Sequence, residues 1–468
     1  MTDLSPTAAR AARAAAPEPA TLTWRDELRA TLRLAVPVTA VEIGLMLMGT
    51  VDTMFAGRVS GLALASVAIG HTYLWVVAVF GMGVLMALDP IVSQAVGAGD
   101  EPALSRGVQR ALVLVLPLSL LCGVALLFGE SVLAFLGQPA DVIPIAARFA
   151  RASIPGLLPL YAFIVFRQTL QARHRVAPLV VAIVVANLVN LVLNYAFVFG
   201  RLGAPALGPV GTAWANSIAR WAMLFTLLGL TWRELRPALV PFRAESFAPR
   251  PMLRMLGLGI PIAIQYELEI NAFAVVAVMM GWIGATQMAA HQVSINLASL
   301  TFMVPLGISN AAAVNVGRAV GFGDARAVRR AAGAALAVGV GFMALSGLAM
   351  LAIPGLLARI YTADPTVLVV AAALIPLAGL FQVFDGTQVV AVGILRGTGD
   401  TRTPMIINVL GFWLLGVPVS YWLGVHTGKG PVGLWTGFVV GLAAVAVFLL
   451  IRVRYRLRSA IARVDVER

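Results

Sequence analysis

Runs of about twenty mostly apolar residues follow one another along almost the whole chain, at roughly 34–56, 63–90, 108–128, 143–170, 177–199, 210–232, 255–281, 287–315, 331–353, 367–395, 404–424 and 432–452. A helix that crosses the hydrocarbon of a bilayer needs about 20 such residues. The runs are continuous rather than alternating, which argues against a β-barrel. Only 12% of the 468 residues are charged, against about 25% in soluble domains. The expected fold is therefore an all-α integral membrane protein of about twelve transmembrane helices.

The net charge of +13 is carried almost wholly by arginine, with Lys429 the only lysine. The arginines sit in short breaks between apolar runs rather than in a basic domain or groove, so nucleic acid is not an expected partner. Every second break is Arg-rich, from Arg25, Arg29 and Arg33 through Arg106 and Arg110, Arg173 and Arg175, 233–250, Arg326–Arg330, and Arg396 and Arg402 to Arg452–Arg458. The opposite breaks hold little beyond Arg58, Arg201, Arg359 and Lys429. A multi-pass protein of the bacterial inner membrane is expected, and the asymmetry places both termini in the cytoplasm. The organisation expected is a cytoplasmic tail and interfacial helix at 1–30, a six-helix lobe at 31–232, a polar Pro-containing linker at 233–252, a second six-helix lobe at 253–455 and a basic tail at 456–468. Within the first segment, 1–22 reads as a disordered tail without the apolar core of a signal peptide, and 24–33 as a short amphipathic helix at the membrane surface. Cys122, the only cysteine, lies in an apolar run and reads as a small buried hydrophobe.

The two halves repeat. Pro37 corresponds to Pro261, and Ala95-Val96-Gly97-x-Gly99-Asp100 to Ala319-Val320-Gly321-x-Gly323-Asp324, both at an offset of 224. Pro178 with Pro404, Tyr195 with Tyr421, and Gly208-Pro209-Val210-Gly211 with Gly430-Pro431-Val432-Gly433 follow within two positions of it. Six spans per unit give repeats of the same orientation, related by a pseudo-twofold axis along the membrane normal, an arrangement typical of transporters with the substrate path between the lobes.

Ionisable groups inside spans are expensive and mark pathways or cavities. The candidates are Glu42, Asp52, Asp89, Glu267, Glu269 and Asp385, none with a Lys or Arg one helical turn away in its own span. Asp52, Glu269 and Asp385 also break the repeat, standing opposite Val276, Leu45 and the neighbourhood of Leu160. Desolvation raises a carboxylate pKa and a nearby cation lowers it, so buried acids of this kind can exchange a proton or Na⁺ for a cationic compound. Glu267 and Glu269 lie about 200° apart around a helix and cannot both face one cavity. Glu42, Asp89 and Glu267 are the weaker candidates. Asn190 and Asn194 share a helix face and can pair with Asp52 or join helices, with Asn187 on the same span. His291 and Gln292 read as interhelical hydrogen-bonding groups before a proton relay. Tyr73, Trp75, Tyr266, Trp282, Phe302 and Phe384 offer cation–π surface. Gly428-Lys429-Gly430 lacks the spacing of a P-loop, so no ATP site is expected. No catalytic constellation stands out, so an enzyme is not expected either.

The motifs LAVPV (34–38), TVDTMFAGRVSGLALASVAIG (50–70), SQAVGAG (93–99), NLVLNYAFVFG (190–200), AAHQVSINLASLTFMVPLGIS (289–309) and FQVFDGTQVVAVGILRGTGD (381–400) resemble the MATE multidrug and toxic-compound extrusion transporters, on the NorM-like branch, over roughly 30–455. The resemblance implies two six-helix lobes in a V and antiport of cationic or amphipathic small molecules against H⁺ or Na⁺ by alternating access, with no cofactor and a monomer in lipid. It places the family's first-helix acid on Asp52, its seventh-helix glutamate on Glu269, its tenth-helix aspartate on Asp385 and its amino-lobe polar pair on Asn190 and Asn194. Members with a Na⁺ site often carry a tyrosine four residues before the tenth-helix acid, where this chain has Phe381. That substitution favours H⁺, while Asp52 with Asn190 and Asn194, or Glu269 with Asp385, remain the places for Na⁺. The alternative is a flippase of related fold for lipid-linked precursors or polysaccharides, which calls for cationic cavity residues where these spans offer acids.

Overall fold

The computed structural model describes residues 23–459 and 461–467, so the reading of 1–22 as a disordered tail lies outside the described residues. Those residues form helices and no strand. We number the long helices α1 (Trp24–Gly57), α2 (Gly61–Ala98), α3 (Glu101–Leu127), α4 (Ile143–Ala172), α5 (Ala177–Phe199), α6 (Gly211–Leu239), α7 (Pro249–Ile283), α8 (Ala285–Phe322), α9 (Ala325–Ala352), α10 (Pro365–Gly397), α11 (Arg402–His426) and α12 (Gly430–Arg458). Eleven are long and apolar enough to cross a membrane. The remaining one, α6, is 29 residues long, about 43 Å at 1.5 Å per residue. Thr212, Asn216, Ser217 and Arg220 early in the helix and Arg233, Glu234 and Arg236 late in it lower its hydropathy, yet it packs along α5.

Two large apolar cores form, one per repeat, beside a small cluster of Leu133, Val142 and Ala146. They interlock at one end: Leu34, Ala35 and Val38 of α1 join the second core, and Met255 and Ala263 of α7 join the first. The sequence landmarks explain the seam. A Cβ on Gly97 would strike the carbonyl of Arg318, and one on Gly321 the carbonyl of Gln94; Gly83 meets Ala263 and Gly307 meets Thr39 in the same way. Each contact has its counterpart 224 positions away in both partners, as a pseudo-twofold axis requires. In the Gly-x-Gly-Asp motifs the second glycine ends the helix in a left-handed conformation (φ 67° at Gly99, 76° at Gly323), where a Cβ is disfavoured. The aspartates then cap the next helix, Asp100 accepting from Ala103 N at 2.9 Å and Asp324 from Arg326 N at 2.8 Å.

Two expectations need correction. Residues 24–33 are not a separate surface helix; they are the first turns of α1, started by a Thr23 capping box. No breaker separates Arg33 from Leu34, and the segment docks on α9, with Trp24 against Gly333 and Glu27 near Arg330. The segment after α12 folds back: Arg463 pairs with Asp100 at 3.0 Å, Val464 N donates to Gln94 Oε1 at 2.7 Å, and Glu467 pairs with Arg106 and Arg110. Hydrogen bonds from Arg110 and Arg106 hold the Glu467 carboxyl below its ordinary pKa. Arg396, counted above among the breaks, is inside α10 and 2% exposed.

Candidate functional site

Five of the six span acids fall into three groups. In the first lobe Asp52 is completely buried. Its Oδ1 accepts from Asn190 Nδ2 at 3.0 Å and Asn194 Nδ2 at 2.8 Å, and its Oδ2 from Asn216 Nδ2 at 2.7 Å. The helical spacing of Asn190 and Asn194 aims both amides at one carboxyl, and α6 adds Asn216 with Arg220 one turn on, near enough to act electrostatically on Asp52. The amide oxygens of all three asparagines are buried without a hydrogen-bond partner. Asn187 instead donates to Gly44 O across the α1–α5 contact.

In the second lobe Glu269 of α7 and Asp385 of α10 are bridged by one amide: Gln388 Nε2 donates to Glu269 Oε1 at 2.8 Å and lies 3.4 Å from Asp385 Oδ1. Both acids line a cavity of about 420 Å³ between the lobes. Its walls are aromatic and thioether groups, among them Trp75, Tyr266, Phe302, Phe381, Met82 and Met303. Such walls suit organic cations of varied shape. Phe381 also packs edge-on to Phe273 and stacks on Phe438, so no oxygen stands at that position.

The third group closes the cavity at the end nearest the termini. Arg167 Nη1 bonds Glu42 Oε1 at 2.7 Å, Asn310 Nδ2 reaches the same oxygen at 3.1 Å, Arg396 Nη2 donates to Asn310 Oδ1 at 2.8 Å, and Arg396 Nε lies 3.0 Å from Asp89 Oδ2. This chain of bonds runs through α1, α4, α8, α10 and α2 and crosses the lobe boundary. Asp89 sits in the first turn after α2 breaks at Met86–Ala87, where the helix dipole favours an acid. Glu42 and Asp89 are thus both ion-paired, Asp89 buried and Glu42 at the cavity wall. Around the cavity two carboxylates are matched by two guanidiniums, and Glu269 and Asp385 are left as the uncompensated pair.

The other candidates stand apart. Glu267 points out of the cavity into a groove on the outer face of α7. His291 is 4% exposed, its ring against Trp435 and its Nδ1 without a hydrogen bond, and Gln292 is exposed and reaches Asn296 at 3.4 Å. The interhelical hydrogen bond expected of these two is absent at His291 Nδ1, and neither joins a cluster. The sequence reading did not single out Asn216, Arg220, Gln388, Asn310, Arg167 or Arg396. The spacing of Asn216 and Arg220 on one helix face was the available signal for the first two.

The MatE family model matches the chain twice, over residues 37–196 and 261–422. The second match begins 224 residues after the first, which is the offset of the internal repeat. The chain belongs to the MatE family. It is 37% identical over 443 residues to the probable multidrug resistance protein NorM of Mesorhizobium japonicum, covering 92% of this chain and 94% of that one. It is 34% identical over 440 residues to the multidrug resistance protein MdtK of Yersinia pseudotuberculosis, covering 92% and 95%. Among solved structures its fold matches the eukaryotic MATE transporter AtDTX14 (TM-score 0.82, 23% identity, 92% and 96% covered) and the Vibrio cholerae MATE transporter VcmN in its bent form (TM-score 0.83, 19% identity, 93% and 98% covered). The chain is a multi-pass membrane protein of this family, and the resemblance read from its motifs extends over nearly its whole length.

Proposed function

We propose that the protein is a secondary exporter of cationic and amphipathic small molecules, antiporting them against protons by alternating access between its two lobes. The observation that carries this reading is the uncompensated Glu269–Asp385 pair facing an aromatic cavity between the lobes. A substrate cation and a coupling ion compete for the same two carboxylates, so each displaces the other. A flippase for anionic headgroups needs cationic excess; Arg167 lines this cavity but is matched by Glu42. Export requires the glycine seam and the Asp89–Arg396–Asn310–Glu42–Arg167 chain to part when the cavity opens toward the termini.

The proton is favoured over Na⁺ because a carboxyl holds a proton alone, whereas Na⁺ needs several oxygens and Phe381 supplies none. The three unpartnered amide oxygens around Asp52 support a second reading, a Na⁺ site in the first lobe. Efflux from proteoliposomes at fixed pH, with the proton gradient collapsed by ionophore, separates them. The proton reading expects transport to stop; full activity restored by a Na⁺ gradient alone would establish the second.

Orientation is tested separately. Cysteines at Gly61 and Gly428 should label with an impermeant maleimide from the periplasm, and cysteines at Ala244 and Ser459 only after cytoplasmic access is given. All four positions are exposed, and native Cys122 is buried. The reverse pattern would overturn the orientation drawn from the arginines.

A further inference from the structure

The groove on the outer face of α7 holds about 690 Å³, within the range of small-molecule sites. Along α7 the residues Glu267, Asn271, Ala274, Val278 and Trp282 recur at helical spacing and line one wall. Phe80 of α2 and Trp413 of α11 form the others. Trp413 stands in the π-helical segment Val409–Gly416 and is pinned by its Nε1 donating to Leu268 O at 3.0 Å. Glu267 Oε1 is buried with no hydrogen-bond partner. Asn271, one turn on, bonds the Glu267 backbone carbonyl rather than the carboxyl.

The internal repeat shows that the fold does not need these polar groups. At the offset of 224, Glu267, Asn271 and Val278 correspond to Ile43, Leu47 and Met54, the exposed apolar face of α1. A carboxylate on a lipid-facing surface is costly, and here it stands among three aromatic rings without a counter-ion. We propose that this groove is a lipid-side binding site for amphipathic organic cations, with Glu267 as their counter-ion and Trp282, Trp413 and Phe80 as their aromatic walls. Such a cation partitions into the bilayer apolar side first, and the groove meets it there, apart from the central cavity. The inference rests on the reading that the protein exports compounds of this class.

Binding of tetraphenylphosphonium to the full-length protein in lipid nanodiscs tests it, read by a photoreactive aryl-azide phosphonium and by quenching of tryptophan emission. A Glu269→Gln, Asp385→Asn background removes the central carboxylates, so the readout does not depend on transport. The expected result is competable labelling on α7 and α11 near Trp282 and Trp413, with affinity lowered about tenfold (~1.4 kcal/mol) by Glu267→Gln and recovered in Glu267→Asp. Trp282→Ala, which leaves the carboxyl in place, should weaken binding as well. Labelling confined to central residues such as Phe302, labelling that excess phosphonium does not compete because lipid chains fill the groove, or affinity unchanged in both Glu267→Gln and Trp282→Ala would overturn the proposal. Absence of cation export by the wild-type protein, with groove binding intact, would instead remove the functional reading.

Discussion

Asp385→Asn and Glu269→Gln should each lower concentrative efflux of a monovalent organic cation by roughly a hundredfold, the equivalent of ~2.7 kcal/mol, while the protein still reaches the membrane in normal amount. Truncating one partner of a desolvated charge interaction commonly costs about 2–5 kcal/mol. Both residues lie on the cavity wall and share Gln388, so neutralising either leaves one charge where the coupling cycle uses two. The double variant should be little worse than either single one, because groups that act as a unit are not additive. Asp52→Asn should impair efflux by a different route. The carboxylate accepts from Asn190, Asn194 and Asn216, whereas an amide offers one oxygen and brings two more donors. Fluorescent-cation accumulation in cells lacking other exporters, normalised to membrane protein, reads all three. Wild-type efflux by the three expressed variants would contradict the assignment.

Arg396→Ala should be the most destabilising change in the seam. Removing one partner of a buried ion pair costs about 3–5 kcal/mol, and Arg396 is 2% exposed beside an Asp89 that is 4% exposed. It also releases Asn310 and Tyr266, to which Arg396 donates at 2.8 and 3.3 Å. The expected outcome is a strongly lowered melting temperature in detergent and reduced membrane yield. Asp89→Asn combined with Arg396→Met should recover most of that loss, since neither charge is then left buried alone. Cysteines on the terminal side of the cavity should label faster in the double variant, whose seam is held by the glycine contacts without the ion pair. Equal stability of Arg396→Ala and wild type would show that the pair does not hold the lobes together.

Much of this was legible in the sequence because the bilayer leaves few choices. Apolar runs must be helices, and the repeat had to put its Gly-x-Gly-Asp landmarks at equivalent contacts. Acids such as Asp52, Glu269 and Asp385 that break the repeat stood out against an apolar background. The 200° separation of Glu267 and Glu269 placed them on opposite faces of the helix. What stayed hidden were partners on other helices. Arg396 follows an apolar run and carries the same signal as a loop arginine; only the fold brings Asp89 to it, 307 positions earlier in the chain. Arg167 was concealed in the same way beside Glu42. The segment 461–467 gave no sequence signal of order, and its order comes from Gln94, Asp100, Arg106 and Arg110, all in the other lobe.

Coupling is the central claim, and reciprocity tests it most directly. If substrate and ion share the Glu269–Asp385 site, a gradient of either must drive the other. Proteoliposomes with no imposed pH or Na⁺ gradient, clamped at zero membrane potential and given a steep gradient of an organic cation that cannot itself carry protons, should develop a proton gradient of opposite sense, read by an internal pH dye. The effect should vanish in Asp385→Asn. Downhill movement of the cation with no opposing proton or Na⁺ flux would contradict the account.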